Sequence, residues 1–386
     1  MINKKVKNLT ASVTLAITLE FNLLKARGVD VIGFCSGEPD FDTPKHIKEA
    51  AKKSIDEGFT KYTSPSGMLE LKKAVCDKLK RENNLDYSPD QIIISNGGKQ
   101  AISNTMKALL DKGDEVIIPV PYWVSYPEEV KLNGGTPVFC KTNNMRITAD
   151  LIRKKITDKT KILILNSPNN PTGVVCSKNE LRKIAELAIE NNIIIISDEV
   201  YEHFTYDGKK HYSIASLSDE VKNITITINS VSKTYAMTGW RIGYSAGPEN
   251  VIKAMASIQS HETSNPCSIA QKAAFEALKG PQDDVRKMKR EFNKRRKIIV
   301  KELNKIEGIK CHLPEGAFYA FPNIRGTGMK SLEFCKLLLK EAKVAAIPGI
   351  SFGADNNIRL SYASPLEDIK KGVERIRNFV TEKITD

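Results

Sequence analysis

Short apolar segments alternate with helix-like segments from about residue 90 onward. An apolar run bounded by turn residues is typical of a buried strand, whereas apolar residues at intervals of three and four indicate an amphipathic helix. The alternation predicts a mostly parallel sheet covered by helices on both faces, an α/β fold. The strand-like segments are QIIIS, DEVIIPV, TPVFCKT, KILILNSP, IIIIS, ITITINS and RIGYSAG, and the helix-like ones include KQAISNTMKALLDKG and KNELRKIAELAIENN.

The pattern changes after residue 250. Helical periodicity dominates there, and two strand-like segments, GAFYAFPNI and NNIRLSYA, follow near the end. A chain of 386 residues is long enough for two domains, so we expect a second, smaller α+β domain. The predicted divisions are an N-terminal arm with part of the small domain at 1–46, a large domain at 47–285 and a small C-terminal domain at 286–386.

The composition, with 41% hydrophobic and 27% charged residues, is typical of a soluble globular protein. No apolar run approaches the length of a membrane span. The first residues resemble a secretory leader, but Thr and Ser interrupt the apolar stretch and Glu20 follows it without a cleavage pattern. Seven scattered cysteines lack the paired spacing of a zinc site or a disulfide framework. We therefore expect no metal and a cytoplasmic location.

The formal net charge of +13 is compatible with a nucleic-acid partner or with attraction of acidic small molecules. Much of the charge lies in RKMKREFNKRRK at 286–297, where the neighbouring apolar residues keep helical spacing. We expect a long amphipathic helix with a solvated basic face. No recognisable nucleic-acid module accompanies it, so a nucleic-acid-binding regulator is the less favoured interpretation.

Polar clusters follow four of the predicted strands. Ligands of such sheets collect at the carboxyl ends of the strands. Each cluster alone is a weak signal, because Gly-Gly and Asn-Pro turns end many strands and an Asp after a strand is often a helix cap. Four clusters at one edge, one of them containing a lysine, predict a functional site. They are NGGKQ after QIIIS, NSPNNPTG after KILIL, DEVY after IIIIS and NSVSK after ITITI.

The clusters contain the parts of a phosphate site beside a reactive amine. Gly97 and Gly98 open a predicted helix whose free amides attract an anion. Ser230 and the planar guanidinium of Arg241 complete such a cradle. Lys233 follows a buried strand, where a lysine is costly unless its amine or charge is used.

An amine near a phosphate and an acid can form a Schiff base if its pKa is lowered, and here Asp198 is the nearby acid. The group that carries both an aldehyde and a phosphate is pyridoxal 5'-phosphate. We therefore expect this cofactor on Lys233.

Motifs along nearly the whole chain resemble those of the class I aminotransferases of pyridoxal-phosphate fold type I, and most of all the bacterial-type aspartate aminotransferases. The resemblance implies a seven-stranded, mostly parallel sheet and a smaller α+β domain built from both chain ends. The motifs, in family order, are SVTLAI, SGEPDF, KYTSPSGMLELKKAV, GGKQA, PYWVSYPE, SPNNPTG, DEVY, SVSKTYAMTGWRIGY, EGAFYAFP, PGISFG and IRLSYA.

The resemblance implies roles around the cofactor. Lys233 holds it covalently, releases it to the substrate amine and then moves a proton at the substrate Cα. Asp198 keeps the pyridine nitrogen protonated. Tyr201 and Asn170 donate hydrogen bonds to the phenolate oxygen of the ring, and Trp123 stacks on the ring face.

Further roles follow from the resemblance alone. Tyr62 reaches the phosphate of a neighbouring subunit, which implies a homodimer with shared sites; taken alone, it is an aromatic beside a turn. Arg359 binds the substrate α-carboxylate, although an arginine on a strand is more often a surface residue. Gly37 approaches the same carboxylate through its backbone, which a side chain would obstruct.

Lys99 carries information on the substrate. It lies in the first turn of the helix opened by Gly98, where the helix dipole disfavours a positive charge unless an anion is near. The resemblance implies that it binds the distal carboxylate of a diacid and helps to bind the cofactor. Ser12 and Thr14 match a mobile segment that closes over the substrate. Ala11 stands where the family often has Pro, so we expect a looser hinge.

The predicted function is transfer of the amino group of aspartate to 2-oxoglutarate. Related transaminases that use prephenate, aromatic or alanine-type substrates remain as alternatives, because Lys99 cannot separate one diacid from another. A carbon-sulfur lyase of the same fold and a nucleic-acid-binding regulator are less favoured. The expected partners are small amino acids and 2-oxo acids, a second copy of the chain, and neither nucleic acid nor a membrane.

Overall fold

The computed structural model describes residues 13–385. Its strands are β1 (Ile32–Gly33), β2 (Ile92–Ser95), β3 (Glu115–Val120), β4 (Thr136–Lys141), β5 (Thr160–Asn166), β6 (Ile194–Asp198), β7 (Thr225–Ser230), β8 (Gly243–Ala246), β9 (Tyr319–Ala320), β10 (Val344–Ala345), β11 (Ile347–Pro348) and β12 (Ile358–Ser361). Its α-helices are α1 (Val13–Ala26), α2 (Lys45–Asp56), α3 (Leu69–Asn83), α4 (Gly97–Leu109), α5 (Tyr126–Leu132), α6 (Ala149–Arg153), α7 (Lys178–Glu190), α8 (Asp219–Asn223), α9 (Val231–Thr234), α10 (Glu249–Glu262), α11 (Ser268–Lys279), α12 (Asp283–Leu303), α13 (Ser331–Ala342) and α14 (Leu366–Thr385).

The large sheet has seven strands in the order β2-β8-β7-β6-β5-β3-β4. Only β8 runs antiparallel to its neighbours, β2 and β7, and the other pairs are parallel. The predicted α/β fold with a mostly parallel sheet is confirmed. In the register of the parallel pairs, Asn166 at the end of β5 lies beside Asp198 at the end of β6. Polar residues that end neighbouring strands therefore meet at one edge.

Both faces of this sheet are covered, because successive side chains of a strand point to opposite sides. Ile117 and Leu163 pack in a core with helix α7 on one face. Their neighbours Ile118 and Ile164 pack in a core with helix α4 on the other face. A strand buried on both sides is apolar at most positions, which explains the nearly continuous apolar runs in the sequence.

Both chain ends contribute to the remaining layer. Strand β1 pairs in parallel with β10, and β12 pairs antiparallel with both β11 and β9. A Cβ atom on Gly372 of α14 would lie 2.4 Å from the Phe34 ring, so the C-terminal helix packs tightly over the segment that follows β1. The predicted contribution of both ends is confirmed, whereas the exact division of the chain into domains stays a prediction. None of the helices within residues 13–385 is long and apolar enough to cross a membrane.

Helix α12 contains the basic segment 286–297 and buries the apolar residues predicted for it. The expectation of a wholly solvated basic face is wrong for two arginines. The side chains of Arg295 and Arg296 are only 7% and 1% exposed. Arg295 pairs with Asp40 at 2.7 Å, and Arg296 pairs with Asp207. Arg295 also pairs with Glu291 of the same helix at 3.0 Å. Asp40 and Asp207 come from distant segments, and the periodicity of one helix cannot reveal those two partners.

Candidate active site

Three chain segments converge at the carboxyl edge of the large sheet. Strand β6 ends at Asp198, and strand β7 ends at Ser230. Helix α9 follows β7 at once and carries Lys233. Helix α4 begins at Gly97, one residue after the neighbouring Asn96 and close to the end of β2. The strand ends singled out by the sequence thus lie together.

Asp198 is a buried acid, with 5% of its surface exposed. The Tyr126 hydroxyl donates a hydrogen bond of 2.6 Å to one carboxylate oxygen, and the Val200 amide donates one of 3.3 Å to the other. Burial raises the pKa of Asp198 to about 6, although both hydrogen bonds and the nearby Lys233 charge lower it. A cationic group brought into this pocket would therefore stabilise the ionised acid.

Within the described residues, Lys233 has no carboxylate as its hydrogen-bond partner and instead donates to the backbone oxygen of Gly37 at 2.7 Å. Burial lowers the pKa of Lys233 to about 8, and the charges of Arg359 and Arg241 lower it further, while the acid of Glu38 opposes them. A neutral, nucleophilic amine is therefore accessible near neutral pH.

The start of helix α4 and Arg241 form a tight concave surface. Gly97 has φ +82°, and a Cβ atom on it would lie 2.4 Å from Nη2 of Arg241. A Cβ atom on Gly243 would lie 2.4 Å from the nitrogen of Gly98, so two strands and a helix start meet where side chains would not fit. No side chain of the described residues caps the first amides of this helix. The geometry suits an anion.

Ser230 lies beside this surface, since its Cβ is 3.8 Å from the position of a Cβ on Gly98. Its hydroxyl is already engaged with the Ser232 hydroxyl at 2.7 Å and the Ile242 carbonyl oxygen at 3.0 Å. It also accepts from the Ser232 amide and so caps helix α9. The phosphate role predicted for Ser230 stays a prediction.

Arg359 lies on β12 and is buried, with 5% of its surface exposed. The alternative of a surface arginine is therefore wrong. Nη1 donates to Asn170 at 3.1 Å, and Nη2 donates to the Cys35 carbonyl at 3.0 Å. Its Nε is buried and has no partner among residues 13–385. A guanidinium held between neutral acceptors retains its charge for a ligand anion.

Trp123 and Lys99 lie together on the neighbouring wall. The Lys99 ammonium is 5.1 Å from the centroid of the Trp123 ring, within range of a cation–π contact. The Trp123 ring also meets the Tyr126 ring edge-on at 5.3 Å between centroids. This links the wall to the tyrosine that holds Asp198.

Tyr201 is buried, and its hydroxyl lies 2.7 Å from the Tyr319 hydroxyl. The roles predicted for Tyr62, Thr14 and Ser12 stay predictions. Tyr62 is 89% exposed. Thr14 lies on helix α1 with a buried hydroxyl that has no partner among the described residues. Ser12, like Ala11, lies outside residues 13–385.

Sequence reasoning assigned no role to Tyr126 or Tyr319, although both lie in quoted motifs, PYWVSYPE and EGAFYAFP. The signal available was the position of Tyr126 in the same motif, three residues after Trp123. Nothing in the sequence showed that their hydroxyls contact Asp198 and Tyr201, because those partners are 72 and 118 residues away along the chain.

A second buried ionic cluster lies behind the site. Lys78 of helix α3 is 2% exposed and pairs with Glu202. It also donates to Asn83 at 2.7 Å. Glu202 accepts from Asn83 at 2.7 Å and from Asn229 at 2.6 Å. Asn229 directly precedes Ser230, so the cluster supports the segment that leads to Lys233.

Comparison with known proteins gives consistent matches over the whole chain. A family model described as aminotransferase class I and II matches residues 29–376. An aspartate aminotransferase of Bacillus sp. (strain YM-2) is 50% identical, with 98% of this chain and 99% of that protein covered. A probable aspartate/prephenate aminotransferase of Rickettsia conorii is 48% identical, with 98% of each chain covered. The structure of aspartate aminotransferase from Thermus thermophilus with maleate superposes with a TM-score of 0.95 at 41% identity, covering 98% of this chain and 99% of that one.

Proposed function

The chain belongs to the class I and II aminotransferase family, and on this premise we propose that it exchanges an amino group between aspartate and 2-oxoglutarate. L-Aspartate loses its amino group and becomes oxaloacetate, and 2-oxoglutarate gains it and becomes L-glutamate. The names of relatives that are about half identical over nearly their full length support aspartate as the amino donor. The observation that carries the proposal is the convergence of Lys233, Asp198 and a buried Arg359 whose Nε lacks a partner within residues 13–385.

Enzymes of this family use pyridoxal 5'-phosphate. When bound, this cofactor supplies an aldehyde that takes up the substrate amino group and a ring that withdraws electrons from the substrate Cα. The residues present fit it: the acid of Asp198 suits a ring nitrogen, and the uncapped helix start at Gly97 and Gly98 with Arg241 suits a phosphate. Tyr201 and Asn170 would face the ring oxygen, and Trp123 would cover the ring.

Lys233 is the proposed site of attachment and the base at the substrate Cα. An amine with a pKa of about 8 is neutral often enough near neutral pH to attack an aldehyde and to accept a proton. Gly37 accepts the hydrogen bond of this amine at 2.7 Å, so its backbone lies where a substrate would bind. Asp198 would keep a proton on the ring nitrogen of the cofactor, because its buried carboxylate can balance that positive charge and an amide could not.

Arg359 is the proposed receptor for the substrate α-carboxylate, because its planar fork suits a bidentate contact. Asn170 and the Cys35 carbonyl hold two of its nitrogens and fix the plane of the guanidinium. A fixed receptor orients the substrate Cα toward Lys233 and thereby reduces the entropic part of the barrier.

Lys99 is the proposed receptor for the distal carboxylate. The Lys99 ammonium lies 5.1 Å from the centroid of the Trp123 ring, its one aromatic contact within residues 13–385. It remains available for an anion. The similar Thermus structure was determined with maleate, a dicarboxylate, which supports a diacid site. Thr14, together with Ser12, would close over the bound substrate and exclude water.

A second candidate function is transamination with prephenate as the amine acceptor. The observation that favours it is the Rickettsia conorii relative, 48% identical, whose name gives both aspartate and prephenate. Prephenate is also a dicarboxylate, so Lys99 and Arg359 do not distinguish it from 2-oxoglutarate. Competition assays with both acceptors would rank them.

We propose that the protein is cytoplasmic and forms a homodimer. Tyr62 supports the dimer, because an aromatic side chain that is 89% exposed gains from burial against a second copy. In this arrangement Tyr62 would reach the phosphate of the neighbouring subunit. The proposed domain divisions remain near residues 46 and 285, where helix α2 begins and helix α12 lies.

The test uses the purified protein loaded with pyridoxal 5'-phosphate. Aspartate or glutamate alone should change its visible absorption, and aspartate with 2-oxoglutarate should yield oxaloacetate and glutamate in equal amounts. Lys233→Ala should show neither the wild-type absorption nor turnover. Release of pyruvate and ammonia without any 2-oxo acid would identify a lyase instead. Tight DNA binding that survives physiological salt in a band-shift assay would favour the regulator.

A further inference from the structure

Tyr319 contacts both Tyr201, the residue proposed to face the cofactor, and Arg359, the residue proposed to bind the substrate. It lies on β9, is fully buried, and pairs with Ser361 of β12, two residues beyond Arg359. The Arg359 guanidinium carbon lies 4.5 Å from the centroid of the Tyr319 ring. At the other end of the side chain, the hydroxyl lies 2.7 Å from that of Tyr201 and 3.5 Å from the Gly37 oxygen.

The two hydroxyls share one hydrogen bond, so the direction of that bond decides where the second proton points. Burial raises the pKa of Tyr319, and the pKa of Tyr201 lies well above its ordinary value for the same reason, so both keep their protons. If Tyr201 donates, the acceptor within residues 13–385 for the Tyr319 proton is the Gly37 oxygen at 3.5 Å, a long hydrogen bond to an atom that Lys233 approaches to 2.7 Å. If Tyr319 donates, the Tyr201 proton is free for a ligand acceptor.

Hydrogen bonds in such a chain polarise one another, so a Tyr201 hydroxyl that accepts from Tyr319 is a better donor to a third group. The other charged groups that face Tyr319 are Arg359 and, from the segment after β1, Glu38. Neither interposes between the two hydroxyls at 2.7 Å.

We infer that Tyr319 is a positioning residue: its hydroxyl donates to Tyr201 and directs the Tyr201 proton to the bound cofactor, while its ring supports Arg359. This inference rests on the proposed function, which places Tyr201 at the cofactor and Arg359 at the substrate. It assigns two separable tasks to one side chain, the hydroxyl acting on the cofactor and the ring on the substrate receptor.

The first test removes only the hydroxyl. In Tyr319→Phe loaded with pyridoxal 5'-phosphate, the pH at which the bound cofactor changes its visible absorption should rise by about half a unit to one unit, a roughly three- to tenfold change in proton affinity. The reason is that Tyr201 then stabilises negative charge on the ring oxygen less well. The KM for aspartate should change by less than about threefold, because the ring under Arg359 remains.

The second test removes the ring. Tyr319→Leu should raise the KM for aspartate by roughly tenfold or more, since Arg359 loses its aromatic support. Tyr362→Phe is the matched control: Tyr362 is equally buried, but its hydroxyl donates to the Ala317 carbonyl at 3.1 Å, away from Tyr201. It should leave both the spectral transition and the KM unchanged.

A double-mutant cycle separates positioning from a general loss of structure. Tyr201→Phe together with Tyr319→Phe should shift the spectral transition no further than Tyr201→Phe alone. Gly37→Ala offers an independent route, because its Cβ would lie 3.0 Å from the Tyr319 hydroxyl and displace it. It should move the same transition in the same direction.

An unchanged spectral transition in a folded Tyr319→Phe, or an equal shift in Tyr362→Phe, would overturn the inference and leave the proposed function intact. Additive shifts in the double variant would overturn it too. If instead the wild-type protein binds no pyridoxal 5'-phosphate, or if Lys233→Ala retains turnover, the proposed function itself fails.

Discussion

Lys78 and Lys233 are two lysines drawn into the interior of the same protein, and they are treated in opposite ways. Lys78 pairs directly with Glu202 and donates to Asn83, so its charge is matched by a carboxylate and an amide. Lys233 donates only to the carbonyl oxygen of Gly37 in the described chain, and the acids that influence it act from a distance. A lysine that is paired with a buried carboxylate stays charged and stabilises the fold. A buried amine without such a partner loses its proton more easily and can react as a nucleophile.

The buried acids Glu202 and Asp198 differ in the same way as the two lysines: Glu202 has a cation as its direct partner, and Asp198 does not. Burial alone would raise the pKa of Glu202, but the charge and hydrogen bond of Lys78, together with His203 and His211, outweigh burial and lower that pKa below its ordinary value. Burial raises the pKa of Asp198 to about 6, because its nearest partner is the neutral hydroxyl of Tyr126. The negative charge of Asp198 therefore lacks a directly bonded cation until a cationic ligand binds, whereas Glu202 already has one in Lys78.

The largest expected effect follows from removing the unmatched amine. Lys233→Ala should lower turnover by more than about 10⁴-fold, because both covalent attachment and proton transfer are lost. Its free energy of unfolding, measured by urea titration of the cofactor-free protein, should not fall. Lys233→Arg is the control that keeps the charge, and it should not restore activity. A marked loss of stability in Lys233→Ala would contradict the assignment of Lys233 as a reagent.

The next effect concerns the acid on the same side of the comparison. Asp198→Asn keeps the shape of the side chain and an acceptor for Tyr126, but it cannot hold a proton on a ring nitrogen. Turnover should fall by roughly 10³-fold, within the range of electrostatic stabilisation by a single group. Steady-state kinetics of the loaded variant measure this. A variant within tenfold of wild type would show that Asp198 serves only the fold.

The matched pair should respond in stability instead of chemistry. Lys78→Met leaves Glu202 buried without its cation, which should lower the free energy of unfolding by about 3–5 kcal/mol. The double variant Lys78→Met with Glu202→Gln should recover part of that loss, because the fully buried carboxylate is then neutral; Glu82, the second acid near Lys78, is partly exposed. Turnover per folded molecule should stay within about tenfold of wild type. A stable Lys78→Met with little activity would instead place Lys78 in the catalytic machinery.

Periodicity predicted the layered α/β fold and the edge at which the site lies, because strand burial follows local patterns and the carboxyl ends of parallel strands share one edge. Within the site, the strand ends of Asp198, Ser230 and Lys233 were predictable for the same reason. Their partners were not. The hydroxyl of Tyr126 on Asp198 and the oxygen of Gly37 on Lys233 come from segments 72 and 196 residues away.

The same limit explains the misjudged arginines. Arg295 appeared as one more charge on a basic helix, yet Asp40 neutralises it from a segment 255 residues away in the chain. Lys78 lies in a helix rich in lysine and gave no sign of burial either. Whether a charge in a sequence is solvated, matched or reactive depends on tertiary partners, and helical spacing does not encode those partners.

The smallest expected effect is a levelling of the reactivity of Lys233 at about pH 9, well below the pH at which an ordinary lysine levels off. In the cofactor-free protein its pKa is about 8, against 10.5 for a lysine in the unfolded chain. Because only the neutral amine reacts, modification at Lys233 by an amine-selective reagent should rise about tenfold between pH 7 and 9 and then level off. Peptide mass analysis localises the product, and Lys233→Ala supplies the background.

The lowered pKa of Lys233 also makes stability depend on pH. Between about pH 8 and 10.5 the unfolded chain binds more protons at this residue than the folded chain. The contribution of Lys233 to the free energy of unfolding must therefore increase with pH in that window. A modification rate that continues to rise beyond pH 10 would instead give Lys233 the pKa of an ordinary lysine and would contradict both expectations.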